Sequence, residues 1–228
     1  MSNLKKLQVV LNYSFQDEQL LQKAITHRSF SKSLNNERLE FLGDSVLGLV
    51  ISEHLFKRLK KATEGELSRI RASLVKEDAL AMVARDINLG DYLRLGSGEL
   101  KSGGFRRASI LSDAMEAIFG AIYLDGGFDQ VRKTIHYLYE DYLVTLPEPK
   151  DLKDPKTSLQ EYLQGVKQPL PVYQVVKTEG KSHDQTFTVE CRIPGLGLVT
   201  TGTGNSRKRA EQMAASAALK QTARHHGG

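Results

Sequence analysis

Acidic residues set the chemistry this chain can do. In the run ERLEFLGDS, Glu37, Glu40 and Asp44 stand three and four residues apart, which on a 3.6-residue period brings them within roughly 60° of one another on a helix. A second pair, Asp113 and Glu116, is three apart in SILSDAMEAIFGAIYLD and shares a face in the same way. Leu39, Leu42, Val46, Leu49 and Val50 cover the side opposite the first three acids, and Phe41, Leu47, Gly48 and Ile51 border them. A helix apolar almost all round is expected to be buried, and buried carboxylates without partners are costly. Arg38 is the one base close by in sequence, so the charge that balances the acids must come from outside the chain. Pooled from two helices, Glu37, Glu40, Asp44, Asp113 and Glu116 suit all-oxygen coordination of Mg²⁺ or Mn²⁺. A solvated acidic face is the plain alternative, disfavoured by the apolar residues on the other sides of both stretches. A di-iron bundle would use Glu-x-x-His pairs, which neither stretch contains.

The elements that must carry these acids follow from periodicity and caps. The first is a helix over Glu37–Arg58, and the second runs from about Ser109 to Asp125, stopped by Gly126 and Gly127. Gly120, in mid-helix, implies close packing on a neighbour at Gly43 or Gly48. Residues 3–24 read as two short helices around a turn at Asn12 to Phe15. Thr63 and Glu66 have the spacing of a capping box, which puts Glu64 in a first turn where the helix dipole favours an acid. That helix continues to Val75, and another spans roughly Lys76 to Asn88. Residues 90–107 are rich in glycine and carry Arg94, Lys101, Arg106 and Arg107, as in a loop or pair of turns that can approach phosphates. The P-loop spacing is absent. His27 reads as a histidine satisfied locally, and a further helix is expected from Phe128 to Leu146.

The chain has 228 residues, is 40% hydrophobic and carries a net charge of +5. Residues 151–228 hold 11 Lys and Arg against 7 Asp and Glu, a net of +4, whereas residues 1–150 hold 21 against 20. The basic excess therefore sits behind the proline-rich segment Leu146-Pro-Glu-Pro-Lys-Asp, which reads as a linker. Beyond it the pattern is α-β-β-β-α: a helix over Pro155–Gly165, strands near Val172 to Thr178, His183 to Ile193 and Leu198 to Gly204, and a helix from Ser206 to Thr222. Cys191 alternates with Phe187, Val189 and Ile193 and belongs to the core. Arg207, Lys208 and Arg209 fall in the first turn of the last helix, where the dipole disfavours cations, so the cluster invites a phosphate. The single cysteine excludes a disulfide framework and a Cys-rich zinc site. With no secretory pattern in the first thirty residues and no membrane-length apolar run, the expected location is the cytoplasm.

ERLEFLGDS resembles the signature of the ribonuclease III family, supported by EGELSRIR, GELKSGGFRRASILSDAMEAIFGAIYLDGG, DPKTSLQEYLQ, GKSHDQTF and GTGNSRKRAEQMAA. The resemblance covers roughly residues 5–222, with no departure at the acids. It implies an all-α N-terminal endonuclease domain over residues 1–147, a linker over 148–153, and a small α+β double-stranded-RNA-binding domain over 154–223. The implied metal set is Glu40, Asp44, Asp113 and Glu116, with Glu37 and Glu64 as further acids of the RNA cleft and Phe41 as a homodimer contact. Gln160, Glu161 and His183 match positions facing RNA minor grooves, and Arg207, Lys208 and Arg209 match positions that grip phosphates across the major groove. The implied activity is Mg²⁺-dependent hydrolysis of double-stranded RNA, in ribosomal-precursor and messenger RNA processing. A non-catalytic RNA-binding regulator of the same fold is the alternative.

Overall fold

The computed structural model describes residues 3–146, 153–180 and 185–225. His183, and the expected linker apart from Lys153, lie outside the described residues. The chain divides into two compact units, Met1–Leu152 and Lys153–Gly228.

The first unit is helical: α1 Asn3–Val10, α2 Glu18–Ala24, α3 Glu37–Arg58, α4 Glu64–Val75, α5 Glu77–Asp86, α6 Ser97–Lys101, α7 Ala108–Gly126, α8 Phe128–Leu138 and α9 Glu140–Val144. At its centre α7 packs on α2, α3, α5 and α8. Its buried Ile110, Leu111, Met115, Ile118, Phe119 and Ile122 each contribute on the order of 1.5–3 kcal/mol. The capping box forms as expected: Thr63 Oγ1 accepts from the Glu66 amide at 3.3 Å, and the Thr63 amide donates to Glu66 Oε2 at 2.8 Å.

Three expectations change. Residues 90–107 are more than a loop: they contain α6 and two 3₁₀ turns, Leu89–Tyr92 and Gly104–Arg106. The helix expected over 128–146 is broken at Tyr139, whose side chain is fully buried and whose hydroxyl donates to the Leu74 carbonyl at 3.3 Å. And α3 is not buried all round. Its inward stripe is Leu39, Gly43, Val46, Leu47, Val50, Ile51 and Leu55, while Leu49 and Phe56 are exposed and Phe41 is 78% exposed. One helix of this fold can press only one stripe on α7, so the acids' face stays open.

Where α3 and α7 cross, their backbones touch. A Cβ on Gly43 would collide with the Glu116 carbonyl, and one on Gly120 with the Leu39 carbonyl; around Gly48 the corresponding space is free to 4 Å. Gly43, not Gly48, is therefore the partner of Gly120.

In the second unit α10 Pro155–Gly165 and α11 Arg207–His225 pack with an antiparallel sheet of order β1-β2-β3: β1 Val172–Glu179, β2 Thr186–Ile193 and β3 Leu198–Gly204. The register of β1 on β2 shifts between Val175 and Lys177. Cys191 and Ile193 point into a core with Leu159, Leu163, Ala214, Ala215 and Ala218, and Val189 on the same strand is also buried. Asp154 caps α10 through the Lys156 amide at 2.8 Å and accepts from Gln212 of α11 at 2.7 Å, which ties the two helices together.

Gly43→Ala should cost about 1–3 kcal/mol through overpacking, whereas Gly48→Ala should be neutral or stabilise by up to about 1 kcal/mol through helix propensity. Urea midpoints of the two variants measure the difference, and equal losses would contradict the crossing point.

Candidate functional site

The glycine contact decides which side chains meet. Glu40 lies three residues before Gly43 and Glu116 four before Gly120, so both stand beside the crossing, and Asp113 follows one turn back along α7. Oxygens of Glu40, Asp113 and Glu116 lie within 4.8 Å of one another, with all three residues half-buried. Asp44 is exposed and outside this triplet, yet its charge is, after burial, the leading influence on Glu116.

The electrostatics reflect crowding. Burial, then the charges of Asp44, Glu40 and Asp113, push the Glu116 carboxyl up to about 8. Glu40 is raised by burial, then by Asp113 and Glu37, against a smaller opposing pull from Arg28. Asp113 is raised by burial, partly offset by its hydrogen bond with Ser112 and by His27 and Arg28. Among the described residues none of the triplet forms an ion pair; Arg28 is engaged by Glu37 at 3.5 Å and Arg107 by Glu99 at 3.1 Å. Three carboxylates without a base are an all-oxygen donor set that fits a hard divalent cation.

Glu40 and Asp113 open onto a cavity of about 810 Å³, whose wall includes Arg28, Lys32, Glu37, Glu99 and Arg107. Arg28, Lys32 and Glu99 carry no periodic signal in sequence, because loops and short helices supply them. The loop after α2 is held in place by backbone bonds, with the Arg94 amide donating to Ile25 at 2.8 Å and the His27 amide to Arg94 at 3.0 Å. His27 lines the cavity too, its Nδ1 meeting the Ser29 hydroxyl at 2.8 Å.

Glu37 sits at the rim, exposed and paired with Arg28. Glu64 is not brought to the acid cluster within one chain: it accepts from Ser68 Oγ at 2.7 Å and lines a different groove with Leu49, Phe56 and Arg71.

On the second unit Gln160 and Glu161 are exposed on α10, and Glu161 pairs with Lys153. Arg207, Lys208 and Arg209 are all exposed at the start of α11, where Ser206 Oγ accepts from the Arg209 amide at 3.2 Å. Arg207 also reaches Glu211 at 2.9 Å. A Cβ on Gly202 would strike the α11 backbone at Ala210 and Ala214, and one on Gly204 would come 2.8 Å from the Ala210 amide nitrogen. That flush contact presents the first turn of α11, with its cations, at the sheet edge.

Crowding also makes the metal-free fold sensitive to pH. An unfolded glutamate titrates near 4.5 whereas Glu116 in the fold holds its proton to about 8, so stability falls as pH rises across that window. In chelator at pH 8, Glu116→Gln should melt about 2–4 °C above the parent, roughly 1 kcal/mol after allowance for solvent around this half-buried group. The gap should close near pH 4.5, and Mg²⁺ should raise the parent's melting temperature more than the variant's. Parallel pH profiles in calorimetry would refute the assignment.

Residues 17–142 match the family model described as Ribonuclease-III-like, and residues 155–222 match the double-stranded RNA binding motif. Ribonuclease 3 of Shewanella amazonensis and that of Shewanella frigidimarina are each 56% identical over 218 residues, 96% of both chains. The nuclease domain of ribonuclease III from Campylobacter jejuni superposes with TM-score 0.61 at 48% identity, over 64% of this chain and 100% of that one. A second structure of that domain, described for flexibility in a region involved in dimer formation, gives TM-score 0.60 at 50% identity, over 61% of this chain and 97% of that one. With these matches across both units and an acid cluster at the crossing of α3 and α7, this chain belongs to the ribonuclease III family.

Proposed function

We propose that the chain is a divalent-metal-dependent endoribonuclease that hydrolyses phosphodiester bonds of double-stranded RNA, leaving 5′-phosphate and 3′-hydroxyl ends with short 3′ overhangs. The observation that carries this reading is the triplet Glu40, Asp113 and Glu116, gathered within 4.8 Å and, among the described residues, without an ion-pair partner. These three, with Asp44 beside them, would hold Mg²⁺, or Mn²⁺ in its place. When bound, the cation supplies Lewis-acid activation of the scissile phosphate and of water, so no side-chain nucleophile is needed. Glu116 must shed its proton to act as a ligand, and activity should therefore drop on acidification. Arg28, Lys32 and Arg107 on the cavity wall are suited to receive the phosphodiester on either side of the bond to be cut.

The second unit supplies grip. Arg207, Lys208 and Arg209 contact phosphates across a major groove, Gln160 and Glu161 approach a minor groove, and His183 is assigned to the next minor groove; such a surface reads A-form shape with little base information. Domain limits of 1–147 and 154–223 with a linker at 148–153 belong to this reading. So does a homodimer in which the exposed Phe41 packs into the partner, an arrangement that would let Glu64 reach the RNA cleft. Among the described residues no helix is long and apolar enough to cross a membrane, and a cytoplasmic role in processing ribosomal-precursor and messenger RNA fits this chemistry.

Glu116→Gln should lower the single-turnover cleavage rate of a defined RNA duplex in Mg²⁺ on the order of 100-fold or more, at little cost in duplex binding. A near-normal rate in the variant would remove Glu116 from the site, and binding without cleavage by the parent would make the protein a regulator. Replacing Arg207, Lys208 and Arg209 with Gln should flatten the dependence of log binding constant on log salt by about 0.9 per lost phosphate contact, leaving the rate at saturating RNA unchanged.

A further inference from the structure

A second polar site lies on the helical unit, away from the acid cluster. Between the C-terminal half of α3 and α8 there is an open groove of about 570 Å³ lined by Glu53, His54, Lys57, Arg58, Arg132 and His136. The two imidazoles meet edge to face, ring centres 5.3 Å apart, and Nε2 of each is shielded from solvent and, among the described residues, has no hydrogen-bond partner. Two such nitrogens in one place are rare in a folded protein unless a water or an ion completes them. Thirteen residues separate Phe41 from His54, which puts them about 140° apart around α3, so the groove is not on Phe41's face.

Charge selects the kind of ion. Glu53 is the single acid of the lining against Lys57, Arg58 and Arg132. It meets Lys57 at 2.5 Å and Arg132 at 3.8 Å. Arg132 also pairs with Asp129 at 2.9 Å, and Arg58 donates to the carbonyls of Leu143 and Val144. Both imidazoles are held below the usual histidine range, by burial first, then for His54 by His136 and Arg58, and for His136 by Arg132 with Glu53 opposing. They are therefore neutral near pH 7, each with one N–H to donate. The excess of cations repels a metal ion and attracts an anion.

We propose that this groove is a phosphate-class oxyanion site in which Lys57 and Arg132 provide charge and His54 and His136 provide ring N–H donors once their rings turn to bring Nε2 to the groove. The ligand is either a free or terminal phosphate or a backbone phosphate of an RNA duplex; the chemistry at the groove is the same. Arg132 and Lys57, both partly solvated, each have more donors than Glu53 takes, which leaves donors for the anion.

The test is a titration of the full chain with inorganic phosphate, in chelator at about pH 7.5, followed by the imidazole ¹H and ¹⁵N signals. Saturable shifts of His54 and His136 are expected, weakened about tenfold or more in Arg132→Gln and in Lys57→Gln. The response should persist in Glu116→Gln, which separates this groove from the acid cluster. Unmoved imidazole signals, or equal shifts in Arg132→Gln and the parent, overturn the proposal. A second arm measures duplex RNA binding in chelator against salt: a slope reduced by about 0.9 in Arg132→Gln assigns the ligand to the duplex backbone, and an unchanged slope with intact phosphate shifts assigns it to free or terminal phosphate.

Discussion

Everything at the acid cluster depends on a backbone contact between α3 and α7. Gly43 faces the carbonyl of Glu116, and Gly120 faces the carbonyl of Leu39, so each glycine receives the carbonyl four residues before the other. No residue with a Cβ fits at either position without moving a helix. The close approach brings side chains projecting beside the crossing within reach of one another, and those side chains are Glu40 and Glu116. Helices spaced by ordinary side chains, 8–10 Å apart, would leave these acids on separate surfaces.

Crowding acids this way works against the stability of the fold. Glu116 carries the largest burden, raised to about 8 because it is the most enclosed of the set and has three acidic neighbours. The cations that could relieve it are diverted: Arg28 to Glu37 and Arg107 to Glu99, both on the wall of the same cavity. Three clustered carboxylates that no neighbouring base neutralises lower the stability of the metal-free fold and form a donor set that could hold a divalent cation.

The second unit repeats the device in another form. Gly202 and Gly204 on β3 lie against Ala210 and Ala214 of α11, so that helix rests flush on the sheet and its first turn projects Arg207, Lys208 and Arg209 into solvent. In both units small residues at a contact determine where the charged ones stand.

The amino-acid sequence by itself determined the helices that carry the acids, the capping box at Thr63, the α-β-β-β-α order of the second unit and the grouping of Glu40 with Asp44 and of Asp113 with Glu116. These follow from local period and local hydrogen bonding, which depend on near neighbours in the chain. It also marked Gly120 as a packing position, but left its partner open between Gly43 and Gly48. Only the tertiary structure decided that partner, because a helix crossing point depends on the packing of whole faces. For the same reason it decided that Leu49 and Phe41 are exposed, that Glu64 stands apart from the cluster, that Tyr139 breaks the helix after Phe128, and that Arg28, Lys32 and Glu99 share the cavity with the acids. Those residues come from segments distant in sequence, and no spacing rule relates them until the core has formed.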